Sequence, residues 1–491
     1  MAKNKIKVVL INVIKDLECP PLTLAYLGTY IRKYNNVEVK IIDINFDNIF
    51  KEVNDFKPDL IGLSAHTITF NSAKKIAGEL KKQTNAKIII GGVHISTHPA
   101  SFGKEFDIGI LGEGEKILSK IIDLIEKNNL KTENLRKIKG IIFWNNGKTE
   151  ITAEKELEEN IDDIPAPDRT MLNKNYFKQK ISYNKLKGEK VIEAGMMTSR
   201  GCPYNCSFCS AAAFWRKIRF HSPEYVAKEI KDLIDNFNVN YIVVYDDFFA
   251  ISVDRLRKIR EEMEKNKTLG KVKFSCSARV NVITDKLCEE MKKLGIITVN
   301  FGFESGSDKI IKMLKGESVT VKQNIDAAKM CIKYGFDVTG SFIVGSPEEK
   351  IEDTKKTLEV IKKMRKIGVS EIWCGIAVPY PKTKLWDYAV KNNLLKDFKW
   401  DVADPSYVHS TVFLDKDVNK KEFLKIFRQI KDECQGINPQ HQSGIIKKIK
   451  ERVYYNKFLY DFSSKMMGMM PSRVKKVIFY LTNIRGNLLT K

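Results

Sequence analysis

Two blocks of strand–helix alternation restrict what this sequence can become. In residues 7 to 125 the β-branched runs VVLINV, VEVKIIDIN, DLIGLSA, KIIIGG and DIGILG alternate with amphipathic stretches such as PLTLAYLGTYIRKY and TFNSAKKIAGELKKQ. Strands that are apolar throughout and separated by helices bury both faces, which predicts a parallel sheet covered on either side. The expected product is a doubly wound, flavodoxin-like α/β domain of about five strands that binds its ligand at their carboxyl ends. Residues 126 to 185 break the rhythm with a Lys- and Glu-rich stretch containing NIDDIPAPDRT and read as a linker.

Alternation resumes in VIEAGMMTS, YIVVYDD, KFSCSAR, ITVNFGFES, DVTGSFIVG and EIWCGIAVP, each followed by a helix candidate except the last. Six such units suggest a partial (β/α)6 barrel of TIM type, although periodicity alone does not separate it from an open sheet. Ser222 with Pro223, and Thr284, mark helix starts, and Gly295 marks a helix end. The expected division is residues 1–130 for the first domain, 131–188 for the linker, 189–399 for the barrel and 400–491 for a helical, basic C-terminal region.

At 491 residues the chain exceeds what one core organises, in keeping with two domains. Its start resembles no secretory signal, and no apolar run reaches membrane-spanning length. Nine cysteines without regular spacing outside one cluster point to a reducing cytoplasm rather than a disulfide framework. The net charge of +23 raises nucleic acid, anionic membrane or acidic small substrates as partners, and a solvated Lys-rich surface explains it equally well. From His441 onward, eleven Lys and Arg stand against Glu451 and Asp461. IIKKIKERVYYNKFLYDF and PSRVKKVIFYLTNI can be written there as basic amphipathic helices suited to an anionic membrane surface, or as a helical cap on the barrel.

The segment TSRGCPYNCSFCS puts Cys202, Cys206 and Cys209 in a loop directly after the first strand of the second block. Three thiolates at this spacing can converge on one centre, and thiolate ligation favours zinc or an iron–sulfur cluster. Structural zinc would want a fourth ligand, and His221, at a helix start, is too far along to supply one at regular spacing. An open fourth position is the natural inference.

The CxxxCxxC pattern at this place resembles the radical S-adenosylmethionine superfamily. The resemblance implies a 4Fe-4S cluster with three irons bound by cysteine and a fourth that chelates the amino and carboxylate groups of S-adenosylmethionine. One electron then breaks the sulfur–C5′ bond, and the 5′-deoxyadenosyl radical abstracts hydrogen from a substrate carbon. The following strand ends extend the likeness. Asp246 and Asp247 stand where the family binds the methionine amino group, Arg279 is a carboxylate partner, and Glu304 and Ser305 resemble the ribose-contacting position. SFIVGSPEE is similar to the family's GxIxGxxE, with Ile343, Gly345 and Glu348 in place and Ser341 replacing the first glycine. Phe208 stands where the family touches adenine. Taken singly, Asp246 and Asp247 could cap a helix, Glu304 could start one, and Gly345 could serve a turn.

PPLTLAYLGTYIRK, PDLIGLSA, IIIGGVHIS and LGEGE resemble the cobalamin-binding domain that precedes one large class of these enzymes. Ser64, Gly91, Gly92, Gly112 and Glu113, at strand ends, are the expected cobalamin contacts, because glycines admit a ligand to the backbone. The DxHxxG pattern is absent. The resemblance then implies cobalamin with its base displaced and its lower cobalt face taken by water, another residue or nothing. His66, His94 and His98 read as hydrogen-bonded loop residues, and Cys19, Cys276, Cys288, Cys331, Cys374 and Cys434 as packing.

What the resemblance implies is an enzyme that modifies an unactivated carbon of a small-molecule or lipid-like substrate. Methyl transfer from methylcobalamin leads, with cyclisation or rearrangement as the alternative. An electron donor such as ferredoxin or flavodoxin is implied, in the cytoplasm, with membrane contact through the basic tail; nucleic acid is not expected. An RNA methylthiotransferase would carry a second cysteine trio where this chain offers only Cys19. The remaining rival is a zinc-stabilised scaffold or nucleic-acid-binding protein.

Overall fold

The computed structural model describes residues 5–16, 19–154, 157–181, 186, 188–215, 217–395, 413–415 and 417–435. Strands β1 (Ile6–Asn12), β2 (Val37–Asp43), β3 (Leu60–Ser64), β4 (Lys87–Gly91) and β5 (Ile108–Ile110) run parallel in the order 2-1-3-4-5. Alternate residues of β1 feed opposite cores. Val9 and Ile11 pack with Ile49, Val53, Phe70 and Ala77 on one side, and Val8 and Leu10 with Leu24, Ile31, Ile117 and Ile121 on the other. The helices carrying these residues therefore cover both faces, as the unbroken apolar strands require.

The segment read as a linker contributes to this sheet. Strands β6 (Ile141–Asn145) and β7 (Lys148–Ile151) form an antiparallel hairpin that extends the sheet beyond β5, correcting the expected boundary near residue 130. Its two-residue turn is Asn146–Gly147 with φ of 48° and 76°, the left-handed pair that a type I′ turn needs. The NG signal was present in the sequence, masked by the Lys and Glu around it.

The second sheet holds Glu193–Met196, Tyr241–Val244, Lys273–Ala278, Ile296–Glu304, Asp337–Val344 and Glu371–Ile376. They are parallel and lie in chain order, the result of successive β/α units of one hand. Ser222 accepts from the Tyr225 N–H at 3.1 Å and Thr284 from the Leu287 N–H at 3.2 Å, while Gly295 closes its helix at φ 98°. The last strand is followed, against expectation, by the helix Lys384–Lys391. The helix Lys420–Cys434 buries Phe423, Ile426, Phe427 and Ile430 in the barrel's outer core. Both basic segments expected after His441 lie outside the described residues. Among the described residues, no helix is long and apolar enough to cross a membrane.

Cys276, Cys288, Cys331 and Cys374 are buried, in line with packing roles, and Cys434 is partly buried, whereas Cys19 is exposed and does not pack as expected. His221 is buried too, its ring stacked 3.9 Å from Tyr225 and its Nδ1 2.9 Å from Asp162. Burial pushes the imidazole down to about 4, against the opposing pull of Asp162. The unfolded chain takes up this proton near pH 6.5 and the folded one does not, so stability falls as pH drops from about 6.5 toward 4. Thermal unfolding is expected to show Tm declining between pH 7 and pH 5, with a shallower decline in His221→Gln. Equal slopes would contradict this account.

Candidate active site

The carboxyl ends of the barrel strands open into a cavity of about 390 Å³. Cys202, Cys206 and Cys209 line it together with Phe208, Asp247, Arg279, Glu304 and Ser341. The cysteine loop is tied down on both sides: the Ser207 N–H donates to the Leu314 carbonyl at 2.8 Å, and the Leu385 N–H to the Ser207 carbonyl at 3.1 Å. Gly201 starts the loop at φ 94°, where a Cβ would lie 2.3 Å from the Lys217 carbonyl oxygen.

Arg279 places Nη1 3.3 Å from the Cys206 sulfur and its guanidinium 3.8 Å over the Tyr204 ring. Burial pushes the Cys202 and Cys209 thiols up, opposed by backbone N–H groups of Tyr204 and Ala211. Binding a metal centre must therefore displace thiol protons, and the adjacent Arg279 offsets the charge that results. Among the described residues no three His, Cys, Asp or Glu side chains are grouped tightly enough to hold a single ion. Cys202, Cys206 and Cys209 nevertheless line one cavity, and thiolate donors are the ligands of iron–sulfur clusters.

Glu304 sits in the left-handed region at φ 63° and is paired with Lys315 at 3.2 Å. Gly302 makes room for it, since a Cβ there would lie 2.1 Å from the Glu304 carboxylate. Asp247 is pushed up to about 6 by burial, with Asp246 adding to it. Three expected contacts are placed elsewhere. Asp246 is fully committed, accepting from the Thr198 N–H, the Thr198 hydroxyl and the Ser199 hydroxyl at 2.6 Å each. Ser305 is buried against the Thr357 hydroxyl at 3.2 Å, and Gly345 makes a turn at φ 77° beside Ile376 and Phe423. None of the three reaches the cavity wall. Asn300, Thr339 and Trp373 line it and were not expected. Their signal was available: Asn300, Thr339 and Ser341 are polar residues at alternate positions of otherwise apolar strands, which places them on the inner face.

A second cavity, of about 320 Å³, lies between the first sheet's carboxyl edge and the barrel, within the size range of cofactor pockets. All five expected cobalamin contacts line it: Ser64, Gly91, Gly92, Gly112 and Glu113. The opposite wall is Met197, Arg200, Ser210, Phe214, Trp215 and Asp247. A slot continues to Leu10, Gly62 and Ile89 between the helices Leu22–Tyr34 and Glu115–Glu126. At Gly92, φ is 98° and a Cβ would lie 2.6 Å from the Ala65 carbonyl oxygen, whereas at Gly91 the nearest atom would be 4.0 Å away. Gly92 is thus demanded by the backbone, and Gly91 leaves open space for a ligand. Asp247 lines both cavities, so they are adjacent.

The sequence did not reveal what holds the two domains in this arrangement. Arg200 reaches Glu113 at 2.8 Å and Glu115 at 2.6 Å, and Arg219 grips Glu113 at 3.0 and 3.1 Å. Burial would raise the Glu113 carboxyl, but Arg219 and Arg200 hold it below the usual range. Glu113 therefore serves an interdomain clasp, its carboxylate already committed to two arginines. Arg200 immediately precedes the cysteine loop, so the clasp fixes that loop to the first domain.

Residues 196–381 match the family model of the Radical SAM superfamily, and residues 6–122 that of the B12 binding domain. An uncharacterized methyltransferase of Pyrococcus horikoshii is 32% identical over 453 residues, covering 89% of this chain and 94% of that protein. The anaerobic magnesium-protoporphyrin IX monomethyl ester cyclase of Cereibacter sphaeroides is 28% identical over 70% of this chain, which spans 56% of the cyclase. Among solved structures, the radical S-adenosylmethionine methyltransferase TsrM of Kitasatospora setae, with cobalamin and a [4Fe-4S] cluster bound, superposes with a TM-score of 0.69. It is 16% identical, with 89% of this chain and 92% of that one covered, and shows a shared fold.

A doubly wound domain facing a partial barrel whose mouth holds three cysteines is the architecture of a cobalamin-type radical enzyme. The chain belongs to the radical S-adenosylmethionine superfamily and carries a B12 binding domain. Its cofactors are those of that class: a 4Fe-4S cluster, S-adenosylmethionine and cobalamin.

Proposed function

We propose that this enzyme transfers a methyl group to an unactivated carbon of a small-molecule substrate at the junction of the two cavities. The observation that carries this reading is Asp247, which lines both the cysteine cavity and the glycine-floored one. When bound, the cluster supplies the electron that cleaves S-adenosylmethionine and cobalamin carries the methyl group. Cys202, Cys206 and Cys209 would hold the cluster through their thiolates. Arg279 and Glu304 present charge to the cosubstrate, Phe208 and Ser341 border it, and Asp246 positions the loop by fixing Thr198 and Ser199. Ser64, Gly91 and Gly92 receive the cobalamin tail. The reducing electron comes from a protein donor such as ferredoxin or flavodoxin.

The test of the reaction is anaerobic turnover with deuteromethyl-labelled S-adenosylmethionine, a reductant and a small-molecule cell extract. A product carrying the intact deuteromethyl group on carbon supports methyl transfer; an unlabelled, dehydrogenated or cyclised product favours radical cyclisation instead. The cradle is tested separately by Gly91→Leu, whose side chain enters ligand space rather than protein. Cobalamin affinity is expected to fall at least about tenfold, the equivalent of roughly 1.4 kcal/mol, with iron per chain unchanged. Undiminished affinity would show the tail to lie elsewhere.

A further inference from the structure

His66 follows β3 two residues beyond Ser64 and is, among the described residues, the histidine of the glycine-floored cavity. Its backbone is pinned: the N–H donates to the Thr69 hydroxyl at 3.0 Å, and the carbonyl accepts the Thr69 N–H at 3.1 Å. The side chain is left open to the cavity, surrounded by protein yet not covered by it. The other two histidines expected to serve as loop residues pack against aromatic rings, His94 from within the helix Val93–Thr97. His94 is buried with its ring 4.2 Å from Phe70, and His98 lies 5.6 Å from Trp386. Neither lines the cavity.

Of the other polar groups of the lining, Asp247 stands on the barrel wall and Tyr26 offers a phenol held protonated by burial. Glu113, Glu115 and Arg200 are consumed by the clasp, and Ser64, Thr23 and Ser210 offer hydroxyls. Imidazole is the donor suited to a borderline transition metal. The two walls also differ in origin: Ser64, His66, Gly91 and Gly92 belong to the sheet, whereas Trp215 and Asp247 belong to the barrel. A flat macrocycle between them turns one metal face to each wall.

We propose that His66 ligates the cobalt face turned toward the sheet, standing in for the histidine that the missing DxHxxG would supply. This rests on the cobalamin reading above and adds the ligand to it. The barrel-facing side, toward Asp247, is then the side left for chemistry.

The experiment is electron paramagnetic resonance of the reconstituted holoenzyme reduced to cob(II)alamin, prepared with natural-abundance and with 15N-histidine-labelled protein. The expected result is a three-line nitrogen splitting on each cobalt line that becomes two-line with 15N-histidine and disappears in His66→Ala. Because the hydrogen bonds that His66 makes run to its neighbour Thr69 and not to the cysteine loop, the variant is expected to keep its cluster iron. A three-line pattern that persists in 15N-histidine protein would identify cobalamin's own base as the ligand and overturn the inference. Unsplit lines in wild-type protein, or isotope-sensitive splitting that survives in His66→Ala, would overturn it as well. Wild-type protein that takes up no corrin would overturn the cobalamin reading and this inference together, whereas corrin uptake with unsplit lines overturns only this one.

Discussion

Replacing any one of Cys202, Cys206 and Cys209 with Ala is expected to abolish reductant-dependent formation of 5′-deoxyadenosine. The three thiols line one cavity and no fourth cysteine faces it among the described residues, so the centre has no spare ligand. Iron and sulfide per chain should drop to background in the triple variant. Because the thiols are only partly buried, each substitution should change the stability of the metal-free chain by less than about 1 kcal/mol. Loss of activity with an intact fold is the distinguishing pattern. A triple-Ala variant that keeps iron, sulfide and turnover would remove the basis for the site.

The second large effect concerns the clasp. Arg200→Met leaves Glu115 without its arginine and Glu113 with Arg219 alone, in surroundings where all the charged side chains are at least nine-tenths buried. Breaking a buried pair by removing one partner costs about 3–5 kcal/mol, which for a domain of this size lowers Tm by roughly 10 °C. Arg200→Lys keeps the charge but not the fork that spans two carboxylates, so an intermediate loss is expected. Since Arg200 also lines the glycine-floored cavity proposed to take cobalamin, cobalamin affinity should weaken in the same order, wild type, Lys, Met. Calorimetry and cobalamin titration together check this. An Arg200→Met protein with unchanged Tm and affinity would show that the clasp carries no load.

The features legible in the sequence were the local ones. The parallel, doubly wound class of the first sheet followed from apolar runs alternating with helices, and the cysteine loop from its spacing. The glycines at the strand ends could be read from position, but not their separate uses: Gly92 is required by its own φ of 98°, and Gly91 faces open space. What escaped depends on register or on distance along the chain. Asp246 and Asp247 are adjacent and chemically identical, and only the direction of each side chain sends one to the Thr198 hydroxyl and the other to both cavities. Glu113 looked like a ligand contact because its partner Arg219 lies 106 residues away, beyond any local pattern. Ser305 was grouped with Glu304 by sequence, yet the chain turns it toward Thr357.

The central claim is that one chain holds an iron–sulfur cluster and a corrin on either side of Asp247, close enough to act on the same carbon. The most direct measurement is the magnetic interaction between the two cofactors in protein loaded with one of each. When the cluster is reduced, the cob(II)alamin spectrum should broaden or split, and the effect should vanish in the triple-Ala variant while cobalamin stays bound. A spectrum equal to the sum of the separately loaded proteins, with both cofactors present at one per chain, would contradict it.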